Sequence, residues 1–143
     1  MATFNKVNDF VANAVHDMDL ASDQITVALS NTAPGSETPD PTTDGNGILA
    51  NVTEISYTNC SSRDVTTTSS SQTGGTYKLV LADITLAASG GDVGPFRYVY
   101  LYNDTVAGDP LIGYYDYGLS LTLNDGDSFT LDFSATNGVI QIS

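Results

Sequence analysis

Near the N-terminus, hydrophobic residues recur at steps of three and four, which is the spacing of one face of an α-helix. Thr3 precedes the run and can cap it. The pattern predicts a helix over residues 3–16, which either covers the β core of its own chain or contacts another subunit. In the second case the interface residues would be Phe4, Val7, Phe10 and Val11.

Farther along, apolar and polar residues alternate, which is the pattern of β-strands. Residues 24–30 alternate in this way, and residues 76–87 are apolar on both faces, so the second run predicts a central strand. Residues 51–71 are polar and β-branched and predict one or two exposed or edge strands. Residues 34–47 contain three prolines and three glycines, and they predict a long surface loop.

Two further strands, residues 96–103 and 110–117, flank a hydrophilic loop and predict an antiparallel hairpin. Aromatic and oppositely charged cross-strand pairs each contribute about 0.2–1 kcal/mol, so they favour one register over the others. The pairs that face each other in that register are Tyr98 with Tyr115, Phe96 with Tyr117, and Arg97 with Asp116.

Two turn signals in residues 119–143 predict a three-stranded β-meander. Asn124-Asp125-Gly126 suits a loop with Gly126 in the left-handed conformation, and Asn137-Gly138 suits a type I′ turn. About eight strands and one short N-terminal helix then make up the chain. The expected fold is mainly β, a single-domain β-sandwich of jelly-roll type over residues 1–143.

Composition restricts the partners. Seventeen acidic residues and four basic ones give a net charge of −13, which repels nucleic-acid phosphates and anionic membranes. Cys60 is the only cysteine, so the chain has neither an intrachain disulfide nor a cysteine pair for structural zinc. We therefore expect no nucleic-acid partner, no membrane partner and no cofactor.

Residues that could carry chemistry are few. The only histidine, His16, falls at the end of the predicted helix, and the paired aspartates flank turns, where turn formation explains them. These features predict a protein that is not an enzyme. One metal pattern stays open, because Asp40 and Asp44 match the first and fifth positions of a calcium loop, although Asn51 replaces its final glutamate.

Several segments resemble a family of small structural proteins from tailed bacteriophages. They lie at residues 4–6, 10–11, 30–34, 70–79, 94–98, 101–104, 110–113, 116–118 and 134–138. The resemblance implies a virion component, in the first place a capsid decoration (cement) protein on the outside of the head. Such a protein binds the major capsid protein or another virion protein and is often a trimer. The alternative within the virion is a tail or head-fibre component.

Another class stays open beside the virion proteins. Eight tyrosines on a β-sandwich could form a stacking platform for sugars, as in a carbohydrate-binding module.

Overall fold

The structure is a computed structural model that describes residues 2–143, and strands dominate it. Its one α-helix, α1, spans Phe10–His16, and two short 3-10 turns span Pro34–Ser36 and Leu49–Asn51. The expectation of a mainly β chain is confirmed. The strands are β1 (Phe4–Lys6), β2 (Ile25–Ser30), β3 (Asp64–Val65), β4 (Thr67–Thr73), β5 (Thr76–Leu81), β6 (Ile84–Ala87), β7 (Val93–Asn103), β8 (Leu111–Leu123), β9 (Ser128–Leu131) and β10 (Ile140–Ile142).

These strands pair into three antiparallel sheets. A five-stranded sheet has the order β1-β8-β7-β2-β3, a three-stranded sheet has the order β10-β5-β4, and β6 pairs with β9. The predicted central strand over residues 76–87 is instead two strands, β5 and β6, which belong to different sheets. Only β5 is the central strand of its sheet. The predicted edge strands within residues 51–71 are β3 and β4, and both lie at sheet edges. One cluster of buried apolar side chains, including Val27, Leu79 and Leu131, joins all three sheets.

The five-stranded sheet is buried on its second face as well. There, the side chains of Tyr98, Tyr100 and Tyr102 pack beneath Leu49 and Val52 from the long connection after β2. All six residues of β2 are buried in consequence. The predicted loop over residues 34–47 has no regular structure beyond one 3-10 turn. The long connection after β2, which contains this loop, thus covers a second buried cluster that is rich in tyrosine.

The predicted helix over residues 3–16 is wrong in its first half. Residues Phe4–Lys6 form a strand in which Phe4 lies opposite Tyr115, and the Val7 amide donates to the Ile112 carbonyl oxygen at 3.1 Å. Gly113 explains why β8 accepts this neighbour: a Cβ there would stand 2.3 Å from Phe4 Cζ, so the ring occupies the space that a side chain would need. Helical geometry begins only at Phe10.

Strands β7 and β8 form the predicted hairpin, but its register is displaced by one residue along most of its length. Tyr98 lies opposite Asp116, and Val99 lies opposite Tyr115, so the expected Tyr98–Tyr115 pair does not form. The cause is a β-bulge on β8 near the loop, where Ile112 is the extra residue. This inserted residue shifts the pairs from Leu101 to Tyr98 by one position, and a second irregularity then places Phe96 opposite Leu121. The expected pairing of Phe96 with Tyr117 is also wrong.

The predicted meander over residues 119–143 does not form. Strand β9 pairs with β6, where Phe129 lies opposite Leu86, and β10 pairs with β5, where Ile140 lies opposite Leu79. Successive strands at this end of the chain therefore join different sheets. The alternation of apolar and polar residues in β9 and β10 is equally compatible with pairing to β6 and β5, so it could not exclude these more distant partners.

The two turn glycines have the positive φ angles that the turn sequences predicted, but the strands that flank these turns do not pair with each other as predicted. Gly126 has φ +92° and Gly138 has φ +73°. Asn137, however, is not among the residues with positive φ, so the turn is not of type I′. Gly138 instead donates its amide to the Ser134 carbonyl oxygen at 2.9 Å. Turn composition predicted the local conformation and missed which strands lie side by side.

Candidate functional site

An open groove of about 740 Å³ runs between α1 and the three-stranded sheet. We call it the helix groove. Its apolar lining comes mainly from three elements, the helix on one side and the strands β5 and β10 on the other. The main lining residues are Phe10, Val11, Ala14 and Val15 on the helix side, and Tyr77, Ile140 and Ile142 on the sheet side.

The rim of the helix groove is unusually exposed for apolar side chains. Val15 is 76% exposed and Val11 is 52% exposed, and the two lie one helical turn apart. Ile142, on the sheet side, is 49% exposed. These three are among the five large hydrophobic side chains that are most exposed in residues 2–143. All three line the helix groove, so the exposed apolar side chains are clustered on one part of the surface.

The structure places the four predicted interface residues differently from the expectation. Val7 is fully buried and Phe10 is 1% exposed, so both belong to the core. Phe4 stacks on Tyr115, with ring centroids 5.2 Å apart. Only Val11 faces outward. Sequence reasoning missed Val15, although its position four residues after Val11 on the same helix would have indicated it.

One basic side chain, Lys6, also lines the helix groove. The other three bases are engaged: Arg97 pairs with Asp116, Lys78 donates to the Thr136 carbonyl oxygen, and Arg63 stacks over the Tyr57 ring at 3.7 Å from its centroid. Within the described residues, the Lys6 side chain forms no hydrogen bond or ion pair. Among the lysines and arginines of residues 2–143, the side chain without such a contact therefore lies beside the apolar groove.

A carboxylate completes the lining. Asp19 accepts hydrogen bonds from the Ser22 hydroxyl at 2.8 Å and from the Ala21 amide at 3.0 Å. These bonds hold the pKa of Asp19 below its usual value, so the group stays charged. The groove thus combines an apolar rim with one charge of each sign.

The ion pair between Arg97 and Asp116 is present and lies at the surface. Nε of Arg97 is 2.7 Å from Oδ1 of Asp116, and Nη2 is 3.1 Å from Oδ2, while the two side chains are 37% and 36% exposed. The Arg97 guanidinium lowers the pKa of Asp116. Asp116 Oδ1 also accepts the Gly118 amide at 2.8 Å.

Asp116 thereby anchors a bulge that the sequence did not predict. Beyond the Tyr98–Asp116 pair, the next paired residues are Phe96 and Leu121, so residues 117–120 of β8 lie opposite Arg97 alone. This bulge presents Leu119, which is 60% exposed. The ion pair therefore lies at the surface beside this bulge, between two inner strands of the sheet, and is not part of the core.

The tyrosines do not form an open platform. None of the eight is exposed, and Tyr98, Tyr100 and Tyr102 are buried beneath the long connection. Tyr115, on the opposite face of the sheet, packs against Phe4, and burial raises its pKa to about 12. A sugar ring would need an exposed aromatic face on which to stack.

The aspartates of the open metal pattern accept hydrogen bonds from the protein itself. Oδ1 of Asp40 accepts the amide and hydroxyl of Thr42, and Oδ1 of Asp44 accepts the Asn8 side-chain amide. Asp9 binds the same loop, because its two carboxylate oxygens accept the Gly45 and Gly47 amides, each at 2.9 Å. Within residues 2–143, no three histidine, cysteine or acidic side chains converge in a way that could hold a metal ion.

The remaining candidates for chemistry stand apart from one another. His16 is the last residue of α1. The thiol of Cys60 is partly buried, and this burial raises its pKa, so the nucleophilic thiolate is disfavoured. No helix in the described part of the chain is long and apolar enough to cross a membrane.

Comparison of the chain with protein-family models, with curated proteins and with solved structures gives no match.

Proposed function

We propose that this protein is a structural component of a tailed-phage virion and, in the first place, a capsid decoration protein on the outside of the head. The proposal starts from the sequence segments that resemble such proteins. The structural observation that carries it is the helix groove, with its exposed apolar rim on an otherwise acidic chain. In this proposal the three sheets form a β-sandwich of jelly-roll type, and the protein acts by binding, without catalysis.

Burial of the groove rim supplies the binding energy. Val11, Val15 and Ile142 each leave about half or more of their side chain in water. Fully burying an aliphatic side chain contributes about 1.5–3 kcal/mol, so covering this rim contributes a modest free energy for each copy. Many copies on one shell bridge neighbouring capsid subunits, and multivalency turns modest contacts into a stable lattice.

Charge favours one orientation on the shell. The chain carries a net charge of −13, while the groove rim itself is apolar and has Lys6 and Asp19, one charge of each sign, beside it. With the groove against the shell, most carboxylates face solvent, where net charge discourages particles from sticking together. The same charge keeps the protein away from packaged DNA.

The carbohydrate-binding alternative has less support, because three of the eight tyrosines are buried and the other five are partly buried. A place in the tail or in a head fibre differs from decoration only in the binding partner. An experiment that locates the protein in the particle distinguishes the two.

Electron microscopy of the parent particle, with the protein labelled by a specific antibody fragment, gives that location. We expect label over the whole head surface at regular lattice positions. Label on the tail or fibres alone would contradict decoration and support the alternative within the virion. A particle without label would contradict the virion proposal altogether.

A further inference from the structure

Strand β4 is an edge strand with an uncharged free side. It pairs with β5 on one side and ends the order of its sheet on the other. At seven residues it is the longest outer strand. A free edge exposes backbone N–H and C=O groups that can pair with another chain, and natural proteins usually protect such edges with charges, proline or shortness.

The other outer strands of this protein carry that protection. Strands β1, β3 and β10 have at most three residues, and the first two contain Lys6 and Asp64. Strand β6 follows directly after Asp83, and β9 lies between Asp127 and Asp132. Residues 65–76, which contain β4, hold no ionisable side chain and no proline. The longest edge is therefore the one without protection.

From this contrast we infer that β4 pairs antiparallel with β4 of a second copy of this chain, about a two-fold axis. Antiparallel pairing of two identical strands is self-complementary, so it closes as a dimer. The paired sheets then run continuously from β10 of one copy to β10 of the other. Phage proteins of the family that the sequence resembles are often trimers, and the dimer inferred here stands apart from that expectation and from the proposed function.

The side chains of β4 suit a partner identical to itself. Six of its seven residues are serine or threonine, and the seventh is Gln72. Cross-strand pairs of threonine with threonine or serine are favourable because their hydroxyls hydrogen-bond. The protein already uses such a pair between β6 and β9, where the hydroxyls of Thr85 and Thr130 lie 2.9 Å apart.

Electrostatics also favours this edge for contact between copies. Two chains that each carry a net charge of −13 repel one another over most of their surfaces. A two-fold contact through a charged strand would also bring like charges together. The β4 edge brings no charged side chains of its own together. Repulsion between the charges on the rest of the two chains is screened beyond roughly 8 Å at about 0.15 M salt.

Sedimentation equilibrium of the full chain tests the inference, with Ser71→Glu and Ser71→Lys as edge variants. Ser71 is exposed and lies opposite Lys78 on β5, so the glutamate gains an oppositely charged neighbour within its own chain. Because the two variants change the net charge in opposite directions, a shared effect belongs to the edge. Thr122→Glu, at an exposed position on β8, is the matched control.

We expect the parent chain to sediment at twice its 15.0 kDa mass. Both Ser71 variants should raise the dissociation constant at least about tenfold, while Thr122→Glu should behave like the parent. Circular dichroism establishes that each variant is folded, and amide exchange should show protection of β4 that Ser71→Lys removes. A parent chain that is monomeric or trimeric, or edge variants that dimerise like the control, would overturn the inference.

Discussion

The ring of Phe4 occupies the place where Gly113 has no side chain. A Cβ on Gly113 would lie 2.3 Å from Phe4 Cζ and 2.6 Å from the Asn5 carbonyl oxygen. This contact fixes β1 against β8, and it also places the chain so that Val7 and Phe10 enter the core. The position of α1, and with it the helix groove, therefore depends on a glycine 97 to 103 residues away in sequence.

Gly113→Ala should displace β1 and destabilise the fold. Overpacking a tightly filled site costs about 1–3 kcal/mol, because the clash involves backbone as well as a side chain. Gly35→Ala is the control, since nothing lies within 4 Å of a Cβ at that position. Urea denaturation followed by circular dichroism measures both. Equal unfolding midpoints for the two variants would argue against the close packing of Phe4 on β8.

Gly138→Ala should cost more stability than Gly126→Ala. Both glycines have positive φ, so an alanine at either position is strained by about 1 kcal/mol. At Gly138 the added Cβ would also lie 2.6 Å from the Leu79 carbonyl oxygen, whereas at Gly126 it meets nothing within 4 Å. The difference in the free energy of unfolding between the two variants isolates that contact. A larger loss for Gly126→Ala would contradict the observed turn.

Asp116 should make stability depend on pH in the acid range. The pKa of Asp116 is lowered in the folded chain, so its stabilising contribution is complete above the unfolded value of about 3.9. That contribution is lost as the pH falls through the lower folded value. Melting curves of the parent and of Asp116→Asn should therefore differ at neutral pH and converge in strong acid. A difference that grows on acidification would contradict the ion pair.

Asp9→Ala should loosen the loop over residues 44–47. The variant removes the acceptor of two backbone amides, those of Gly45 and Gly47. An amide that loses a charged acceptor exchanges faster with solvent, so deuterium uptake should rise in this loop. Asp17→Ala is the control, because it removes an exposed carboxylate at the end of α1. Unchanged uptake in residues 44–47 of Asp9→Ala would exclude the role of Asp9 in holding the loop.

Local features of this fold could be predicted from the sequence, and long-range ones could not. The alternation in residues 24–30 predicted β2, and glycine in a turn sequence predicted positive φ at Gly126 and Gly138. The register of β7 against β8 escaped prediction because the extra residue Ile112 shifts the pairs from Leu101 to Tyr98, and the bulge at residues 117–120 shifts the pairs beyond them. The periodicity over residues 3–16 could not show that residues 4–6 form a strand. That strand depends on the space beside Gly113, which exists only in the folded sheet.

For the site residues too, local features could be predicted from the sequence and long-range ones could not. Arg97 and Asp116 could be paired from their charges on neighbouring strands, but their exposure depends on the bulge at residues 117–120. Val11 could be predicted from helical spacing. Its partner across the groove, Ile142, could not, because β10 joins β5 and not the preceding strand.

The most direct test of the proposed function is binding of the purified protein to phage heads that lack it. Val15→Asp places a charge on the groove rim, and Leu119→Asp is the matched control at an apolar side chain exposed to 60% on the β8 bulge. Co-sedimentation with the heads gives the bound fraction of each protein. We expect the parent and Leu119→Asp to bind alike and Val15→Asp to lose at least about tenfold in affinity, since an unpaired buried charge costs several kcal/mol. Failure of the parent to bind, or equal binding of both variants, would contradict the account.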